Sequence, residues 1–533
     1  MDKNQFLKNF EVVVDSPNGI QQLRKIIFDL AVQGELIIQK HELSKSKSLS
    51  PVPRKKIRDV ARVFNGDSTS AAEKARLGKT KSGVPYIATK DINYGFQPVD
   101  YQNGLFVEVG DPKYKIAPKG SVLICLEGGS AGKKMALLDR DSAFGNKLFA
   151  NVCNEDFNPK FLLINFLSSS FQSQFKAGMS GIIGGISKAR FVEIEIAAPP
   201  IDQQEQIVNR VESLLAMCDE LEVESLKRKT LRTAALSSAI DAVSAASSKN
   251  ELTTAWKRIS AHWNAMADSP ESVDALRSLI LELAIKGKLV MQQEEDGTAA
   301  DLLKEIQVER DGLPGRSTNS RIQHRNIYVE PYPEIPQNWV WTSLSEIGII
   351  SPRNSAEDHL QTGFIPMNQI SERFAVSHTF DIRPWREIKR GYTHVQNGDV
   401  VVAKITPCFE NGKAAVIEGL PNSIGAGTTE IHVVRPILVR PEYILVFLNS
   451  PFFVENGIPK MTGTAGQKRL PLEHFSMFPF PLPPIAEQIR IVEKVDTLMS
   501  LCEELETSLR LRLDIESAYS AALAENLSSQ SSY

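Results

Sequence analysis

A stretch of about thirty residues that occurs twice constrains the fold of this chain more than any other feature. The first copy starts at Pro199 and the second, 284 positions later, at Pro483. Each copy opens with two prolines, which exclude a helix before them, and continues with apolar residues every three or four positions. A rare cysteine falls in register, Cys218 with Cys502. The repeat therefore predicts two long amphipathic helices in a chain that arose by duplication.

The apolar residues of both copies follow a heptad pattern, which is typical of a helix that packs lengthwise on another helix. We expect the two seams to pack on each other. The alternative is that each helix covers only the core of its own domain. The seam residues are Ile207, Val211, Leu214, Cys218 and Leu221 in the first helix and Ile491, Val495, Leu498, Cys502 and Leu505 in the second.

A shorter repeat leads each half of the chain. The segment that begins at Ser16 matches the one that begins at Ser269, and this shift of 253 positions superposes Arg24 on Arg277. Both segments open with Ser-Pro, carry apolar residues on one helical face and reach a glycine, Gly34 or Gly287, where we expect the helix to end. Each half thus has a leading helix as well as a long trailing helix.

Two globular segments, at about 53–198 and 336–482, lie between these helices. Both alternate short apolar strands with helical pieces, which predicts a mixed α/β fold for each. Their interiors match more loosely, with Gly132-Lys133 placed on Gly412-Lys413. The residues at 41–56 form a polar connector, those at 240–268 are partly helical and linker-like, and those at 317–326 are expected to be exposed.

Composition limits the partners and the compartment. A chain of 533 residues is too long for one core. Its net charge of -3 lacks the basic excess of many DNA-binding proteins, so any contact with DNA must come from local cations. The five cysteines form no metal-ligand pattern, and no targeting or membrane-spanning segment is evident. We therefore expect a cytoplasmic protein with reduced, structural thiols.

Catalytic motifs fail on inspection. The Gly128–Lys134 stretch is not a phosphate-binding loop, because Glu127 stands where the first glycine is required and Lys134 where a hydroxyl is required. The chain also lacks the Asn- or Asp-Pro-Pro-aromatic site of a DNA methyltransferase. Glu387 and Lys389 have nuclease-like spacing without a counterpart in the other half. We expect neither a catalytic site nor a metal site in this chain.

Lysine and arginine do recur in the glycine-rich turns before the proline strands. Glycine amides beside a cation suit a phosphate group, although a solvated loop is the alternative for each residue. The candidate DNA contacts in these turns and in other basic clusters are Lys133, Lys134, Lys188, Arg190, Arg383, Arg386, Lys413, Lys460, Lys468 and Arg469.

These residues resemble a known family, the specificity subunits of type I restriction-modification systems. The carriers are the paired APPIDQQEQIVNRV and PLPPIAEQIRIVEKV stretches, the LRKIIFDLAVQGELI and LRSLILELAIKGKLV helices, and IPQNWVWTSLSEIG at the start of the second domain. The resemblance covers nearly the full chain. The first domain lacks counterparts of Trp339 and Trp341, which leaves its start less well defined.

The resemblance implies an α+β protein with two mixed α/β target recognition domains in tandem, separated by two long helices packed as an antiparallel coiled coil. It places an N-terminal helical region at 1–50 and the target recognition domains at 51–198 and 326–482. The central helical region would span 199–325, with a spacer helix at 201–245, a linker and a leading helix at 270–290, and the C-terminal spacer helix would span 483–533.

The family implies a non-catalytic subunit that reads a bipartite double-stranded DNA target. It would dock two methyltransferase subunits and the restriction subunits of an adenine-specific enzyme. S-adenosylmethionine, ATP and magnesium would then bind to those partners and not to this chain. The rival hypothesis is a coiled-coil scaffold that assembles proteins without reading DNA, which the acidic pI favours.

Overall fold

The computed structural model describes residues 10–36, 52–80, 82–180, 184–246, 248–267, 269–312, 332–372, 377–464 and 466–529. Most of the connector at 41–56 and the whole segment 317–326 lie outside these ranges. The chain divides into two compact units, one formed by 1–229 with 512–533 and the other by 230–511.

The first unit contains a domain of ten short strands. They form a two-stranded ribbon, β1-β10, and two four-stranded sheets with the orders β2-β9-β6-β7 and β4-β3-β8-β5. The strands are β1 Arg54–Lys56, β2 Ala61–Asn65, β3 Val84–Ile87, β4 Phe106–Val107, β5 Ile116–Ala117, β6 Val122–Cys125, β7 Met135–Leu137, β8 Ser142–Phe144, β9 Leu148–Cys153 and β10 Glu195–Ala197.

The helices of the first unit include the first long helix, which continues past residue 229 into the residue range of the second unit. A 3-10 turn, Thr89–Asp91, follows β3. The helices are Phe10–Asp15, the first leading helix Gly19–Val32, Ile57–Val60, Ala71–Leu77, Pro159–Leu167, Ser169–Gly178, Lys188–Phe191 and the first long helix Ile201–Ala245.

The domain of the second unit repeats this topology strand for strand. Its ribbon is β11-β20 and its sheets have the orders β12-β19-β16-β17 and β14-β13-β18-β15, so every strand pairs as the strand ten places earlier does. The strands are β11 Val340–Ser343, β12 Gly348–Ile350, β13 Gln361–Ile365, β14 Asp381–Pro384, β15 Thr393–Gln396, β16 Val400–Ala403, β17 Ala414–Val416, β18 Ile424–Gly427, β19 Ile431–Pro436 and β20 Pro479–Leu482.

The helices of the second half include two that match the leading and long helices of the first. In the described ranges of this half, 3-10 turns lie at Glu294–Asp296, Met367–Gln369, Pro421–Ser423 and Ile458–Lys460. The helices are Lys249–Met266, the second leading helix Pro270–Ile285, Ala299–Gly312, Leu344–Ile347, Trp385–Ile388, Pro441–Leu448, Pro451–Gly457, Leu472–Met477 and the second long helix Ile485–Ser529.

The segment interpreted as partly helical linker is better ordered than the sequence suggested. Residues Lys249–Met266 form a continuous helix. Ile259 of this helix packs against Val243 at the end of the first long helix and against Leu279 and Leu283 of the second leading helix. The serine- and alanine-rich residues 244–248 before this helix resemble a linker, but the apolar face of the helix is buried in this three-helix cluster.

Both leading helices end at the predicted glycine. Gly34 and Gly287 have φ angles of 80° and 64°, a left-handed conformation that glycine adopts without strain. In each case the amide of the residue after the glycine bonds to a carbonyl in the last turn of the helix. Glu35 donates to the Leu30 carbonyl at 3.0 Å and Lys288 donates to the Leu283 carbonyl at 2.9 Å. The leading helices thus end alike, although the first begins at Gly19 and not at its Ser-Pro.

The predicted seam of the first long helix faces its own half of the chain. Its five residues belong to the apolar cluster of the first domain, which also contains the leading-helix residues Leu23 and Ile27. Val208 and Leu215, outside the heptad seam, are buried there too, while Leu214 is only half-buried. The contact surface is wider than one seam because a domain and a helix cover it together.

The second long helix repeats this arrangement. Ile491 and Val495 lie in the cluster of the second domain, Cys502 and Leu505 pack on the second leading helix, and Leu498 is half-buried. In each half the clustered residues contact the domain and the leading helix of that half. Their assignment to a seam between the two long helices stays a prediction.

An arginine fixes each leading helix to its long helix. Arg24 contacts Asp219 at 2.8 Å and Glu222 at 2.7 Å, and Arg277 contacts Glu506 at 2.7 Å. Shifts of 253 for the arginines and 284 for the glutamates superpose the two pairs. The ion pair is therefore a duplicated joint.

A glutamine joins each long helix to its domain. The Gln204 side chain donates to the Pro199 carbonyl at 2.8 Å and accepts from the Asn158 amide at 2.8 Å. Gln488 donates to the Pro483 carbonyl at 2.9 Å and accepts from the Arg440 amide at 3.0 Å. Asn158 and Arg440 directly precede matching helices, so this glutamine satisfies a free helix amide at the same place in both halves.

Candidate nucleic-acid interface

The structure separates the candidate DNA contacts by exposure. Lys134, Arg383, Lys413 and Arg469 are half-buried and bound to groups of their own domain. The exposed candidates are Lys133, Lys188, Arg190, Arg386, Lys460 and Lys468. The exposed ammonium and guanidinium groups are accessible to a ligand, although Arg190 already donates to the Gly178 carbonyl at 3.4 Å.

Lys134 and Lys413 form equivalent bonds inside their domains. Lys134 donates to the Thr89 carbonyl at 3.1 Å, and Lys413 donates to the Ile370 carbonyl at 3.1 Å. Their own carbonyls accept from β6 and from the end of β16 in the same way. The residue equivalent to Lys413 is therefore Lys134 and not Lys133, which corrects the sequence match by one position. Both lysines connect a hairpin to the turn after β3 or β13.

The basic residues before the two proline strands are not equivalent. The Lys468 carbonyl accepts from the Thr406 amide at 2.9 Å, and in the first domain the Gly184 carbonyl accepts from Gly128 at 2.9 Å. Gly184 thus occupies the position of Lys468, and Gly185 that of Arg469. Lys188 and Arg190 lie beyond this point, in the short helix Lys188–Phe191. The recurrence of cations in these turns is therefore a feature of composition, not of structure.

Arg383 lies in β14, and Arg386 lies in the short helix Trp385–Ile388 that follows it. Arg383 lies 4.4 Å above the Phe364 ring and 3.5 Å from Asp381, an arrangement that restricts its guanidinium. Arg386 is exposed. A hydrogen bond from Lys389, with the nearby charges of Arg386 and Arg390, lowers the pKa of the Asp358 carboxyl. The acidic neighbour therefore remains ionised and offsets part of this basic cluster.

A narrow hairpin contains Lys468 and Arg469, and Lys460 lies in the 3-10 turn just before it. Arg469 and Thr462 exchange backbone hydrogen bonds of 2.8 and 3.0 Å, and the loop between them contains Lys468. The Arg469 guanidinium binds both carboxylate oxygens of Glu430 at 2.9 Å. This hydrogen bonding lowers the pKa of Glu430. This ion pair could not be predicted from the sequence, because Arg469 and Glu430 are 39 residues apart.

Other groups of catalytic interest are few in the described part of the chain. No cluster of three or more histidine, cysteine, aspartate or glutamate side chains there could hold a metal ion. The five cysteines are free thiols, and burial raises the pKa of Cys153 to about 12, so this thiol is protonated at neutral pH. The helices of the described ranges include none that is long and apolar enough to cross a bilayer.

Comparison with known proteins identifies the duplicated domain. The family model described as the type I restriction modification DNA specificity domain matches residues 51–228 and 336–514. Two curated proteins of Escherichia coli are similar over 247 residues, the type I restriction enzyme EcoAI specificity subunit at 45% identity and the EcoEI specificity subunit at 44%. Each alignment covers 45% of this chain and 42% of the relative, which is less than half the length of either relative.

Solved structures are more distant. A chain from a type I R-M system aligns at 14% identity and a TM-score of 0.47, covering 91% of this chain and 99% of that one. The HsdS subunit from Thermoanaerobacter tengcongensis aligns at 14% identity and a TM-score of 0.40, covering 92% of this chain and 98% of its own.

Proposed function

Since this chain belongs to the family defined by the type I restriction-modification DNA specificity domain, we propose that it reads the DNA sequence for such an enzyme. Each of its two domains would bind one half of a split double-stranded target. Exposed cations would hold the phosphates, and side chains that enter the grooves would select the bases.

The duplication carries this proposal. Both domains have the same strand order, each connects to a long helix through the same glutamine, and the same arginine binds each leading helix to its long helix. Two equivalent readers on one chain are suited to a target in two parts. Each long helix has 45 residues, which corresponds to about 68 Å at about 1.5 Å per residue. That length is enough to separate half-sites that lie one turn of DNA, about 34 Å, apart.

The chain would be a non-catalytic subunit that acts in the cytoplasm. Methyl transfer and cleavage would belong to partners, two methyltransferase subunits and the restriction subunits, which would bind S-adenosylmethionine, ATP and magnesium. The sequence lacks a phosphate-binding loop and a methyltransferase motif, which supports the assignment of catalysis to partner subunits. The leading and long helices would form the docking surface for the methyltransferase subunits.

Sequencing of methylated positions tests the proposal. DNA is exposed to the complex purified through a tag on this chain, and modified adenines are mapped. We expect a motif of two short specific parts separated by a fixed gap of unspecified bases. A scaffold that does not read DNA would give no methylation motif, and the complex would bind unrelated duplexes with equal affinity. Methyl transfer by the isolated chain would contradict the non-catalytic role.

A further inference from the structure

The backbone of Arg469 is held from both sides. Besides its two hydrogen bonds to Thr462, it forms a β-bridge with Ile405, and the next amide, of Leu470, donates to the Lys404 carbonyl at 2.7 Å. The preceding residue is fixed as well, because the Lys468 carbonyl accepts from Thr406. The side chain of Arg469 therefore starts from a rigid base.

Glu430 orients the guanidinium of Arg469 along one edge. The Nε and Nη2 atoms each donate to one carboxylate oxygen at 2.9 Å, and Nη1 donates to the Gln467 carbonyl at 3.2 Å. An arginine has five N–H donors in a planar fork. These three bonds leave one hydrogen on Nη1 and one on Nη2, and the two form a parallel pair at the tip when the Gln467 carbonyl takes the Nη1 hydrogen on the Cδ side. The side chain is 43% exposed, so this tip can reach a ligand.

We propose that Arg469 is a base-reading residue of the second domain and that its free tip binds the O6 and N7 atoms of a guanine in the major groove. Two parallel N–H donors match these two acceptors, which is the commonest specific contact of arginine with DNA. The assignment rests on the proposed function, since it requires that the domain bind DNA.

The charge of Glu430 favours a base over a phosphate. A DNA phosphate could also accept two hydrogen bonds from arginine. Here, however, the Glu430 carboxylate already neutralises the guanidinium at contact distance. A second anion at the tip would be repelled by this carboxylate, whereas the edge of a guanine is neutral. Phosphate contacts are left to the exposed lysines of the hairpin and its approach, Lys460 and Lys468.

The first domain has no equivalent fork. The Leu126 amide donates to the Lys147 carbonyl as the Lys404 amide does to the Glu430 carbonyl, so Lys147 occupies the position of Glu430. Gly185 occupies the position of Arg469. The guanine contact would therefore belong to one half-site only, and the two halves of the target would differ in this respect.

Selection from a randomised duplex library tests the assignment. The complex purified through a tag on the full chain is incubated with the library, and the bound DNA is sequenced for the wild type, Arg469→Ala, Arg469→Lys and Glu430→Gln. Arg440→Ala is the control, because Arg440 is also ion-paired, to Glu442, and about as exposed, at 46%. Thermal unfolding of each variant checks that it is folded.

We expect the wild type to require guanine at one position of one half-site. Both Arg469 variants should reduce that preference by about 5- to 150-fold and leave the other positions unchanged, since a bidentate contact gives this discrimination. Lysine retains the charge without the fork, so Arg469→Lys decides the question if the alanine variant does not fold. Glu430→Gln should weaken the guanine preference and strengthen binding to unrelated duplexes, because it removes an anion.

Two outcomes would overturn the assignment in different ways. Equal weakening of all sequences by Arg469→Ala, with an unchanged motif, would make Arg469 a phosphate contact. A wild-type complex that selects no sequence at all would overturn the proposed function, and the assignment with it.

Discussion

Arg277 of the second leading helix lies 2.7 Å from Glu506 of the second long helix, and its side chain is only 7% exposed. Removing this arginine would leave the Glu506 carboxylate, which is 23% exposed, without its buried partner, and an uncompensated charge at a largely buried site is unfavourable. We expect Arg277→Leu to destabilise the second unit by about 1 to 3 kcal/mol in urea unfolding.

Arg510→Leu is the matched control. Arg510 also binds Glu506, at 2.6 Å, but is 64% exposed, so its loss should cost less stability than the loss of Arg277, because water screens an exposed ion pair. Equal effects of the two variants would show that burial of Arg277 adds nothing to the joint.

The glutamine after each double proline should be equally sensitive. Gln204→Leu and Gln488→Leu each remove the acceptor of a helix-capping amide and the donor to a proline carbonyl. A loss of about 1 to 3 kcal/mol is expected for each, because buried polar partners are left unsatisfied. Circular dichroism during thermal unfolding measures it. The exposed Gln206→Leu serves as control, and a similar loss there would contradict the role of the joint.

Lys413 and Lys468 should respond differently to removal of their charge. Lys413→Ala breaks a bond to the Ile370 carbonyl and should lower stability with little change in DNA binding. Lys468→Ala, at an exposed site, should weaken binding to all duplexes and reduce the slope of log affinity against log salt by about one. Fluorescence anisotropy over a salt series measures this slope. A change of sequence preference in Lys468→Ala would identify it as a base reader instead.

Two buried histidines should make the second domain sensitive to acid. Burial lowers the pKa of His432 and of His474 to about 4, from about 6.5 in the unfolded chain. Since the unfolded state binds these protons first, stability is retained above pH 6.5 and falls as pH decreases from about 6.5 to about 4. Each histidine contributes about 3 kcal/mol to this loss.

Calorimetry at several pH values measures the effect. His474 packs between Phe453 and Phe478, so His474→Leu should keep the core apolar and flatten the pH dependence. An unchanged slope between pH 6.5 and pH 4 in this variant would assign the acid sensitivity to other groups.

Lengthening the first long helix should change the spacing of the target. Leu221 packs with the first domain and Leu236 with the three-helix cluster, so four residues inserted between them lengthen the helix without entering either core. The added length is about 6 Å, close to two base pairs. Methylation mapping should show a gap longer by one or two base pairs, whereas alanine replacement of four residues in the same stretch should leave it unchanged. A gap that ignores the insertion would contradict the role of the helix as a spacer.

The features that could be predicted from the sequence are those that occur in both halves of the chain. The match of Cys218 with Cys502 located the long helices, and the match of Gly34 with Gly287 located the ends of the leading helices. Such matches are informative because the same residues at the same spacing favour the same local structure. The heptad pattern predicted the apolar face of the long helices, and in each half part of that face packs on the leading helix and the domain. Packing of one long helix on the other stays a prediction, since a helix, a domain surface and a second long helix bury the same residue types.

Contacts between distant residues could not be predicted. Arg469 and Glu430 meet only because the hairpin before β20 bridges Ile405, just after β16, and β16 pairs with β19, which Glu430 directly precedes. Lys134 looked like an exposed cation of a glycine-rich turn, and only the position of the Thr89 carbonyl explains it. Positions that differ between the halves, such as Gly185 in the first domain and Arg469 in the second, cannot be recognised from the repeat. These are the positions at which we expect the two domains to bind DNA differently.

The ribbons β1-β10 and β11-β20 have an evolutionary consequence. Arg54 pairs with Ala197, and Val340 pairs with Leu482, so the first and last strands of each domain run side by side. A domain whose two ends are neighbours behaves as an insertion into the helical scaffold. Recombination at these ribbons could exchange a whole reader and leave the joints around Gln204 and Gln488 intact, giving a new target in a single genetic step.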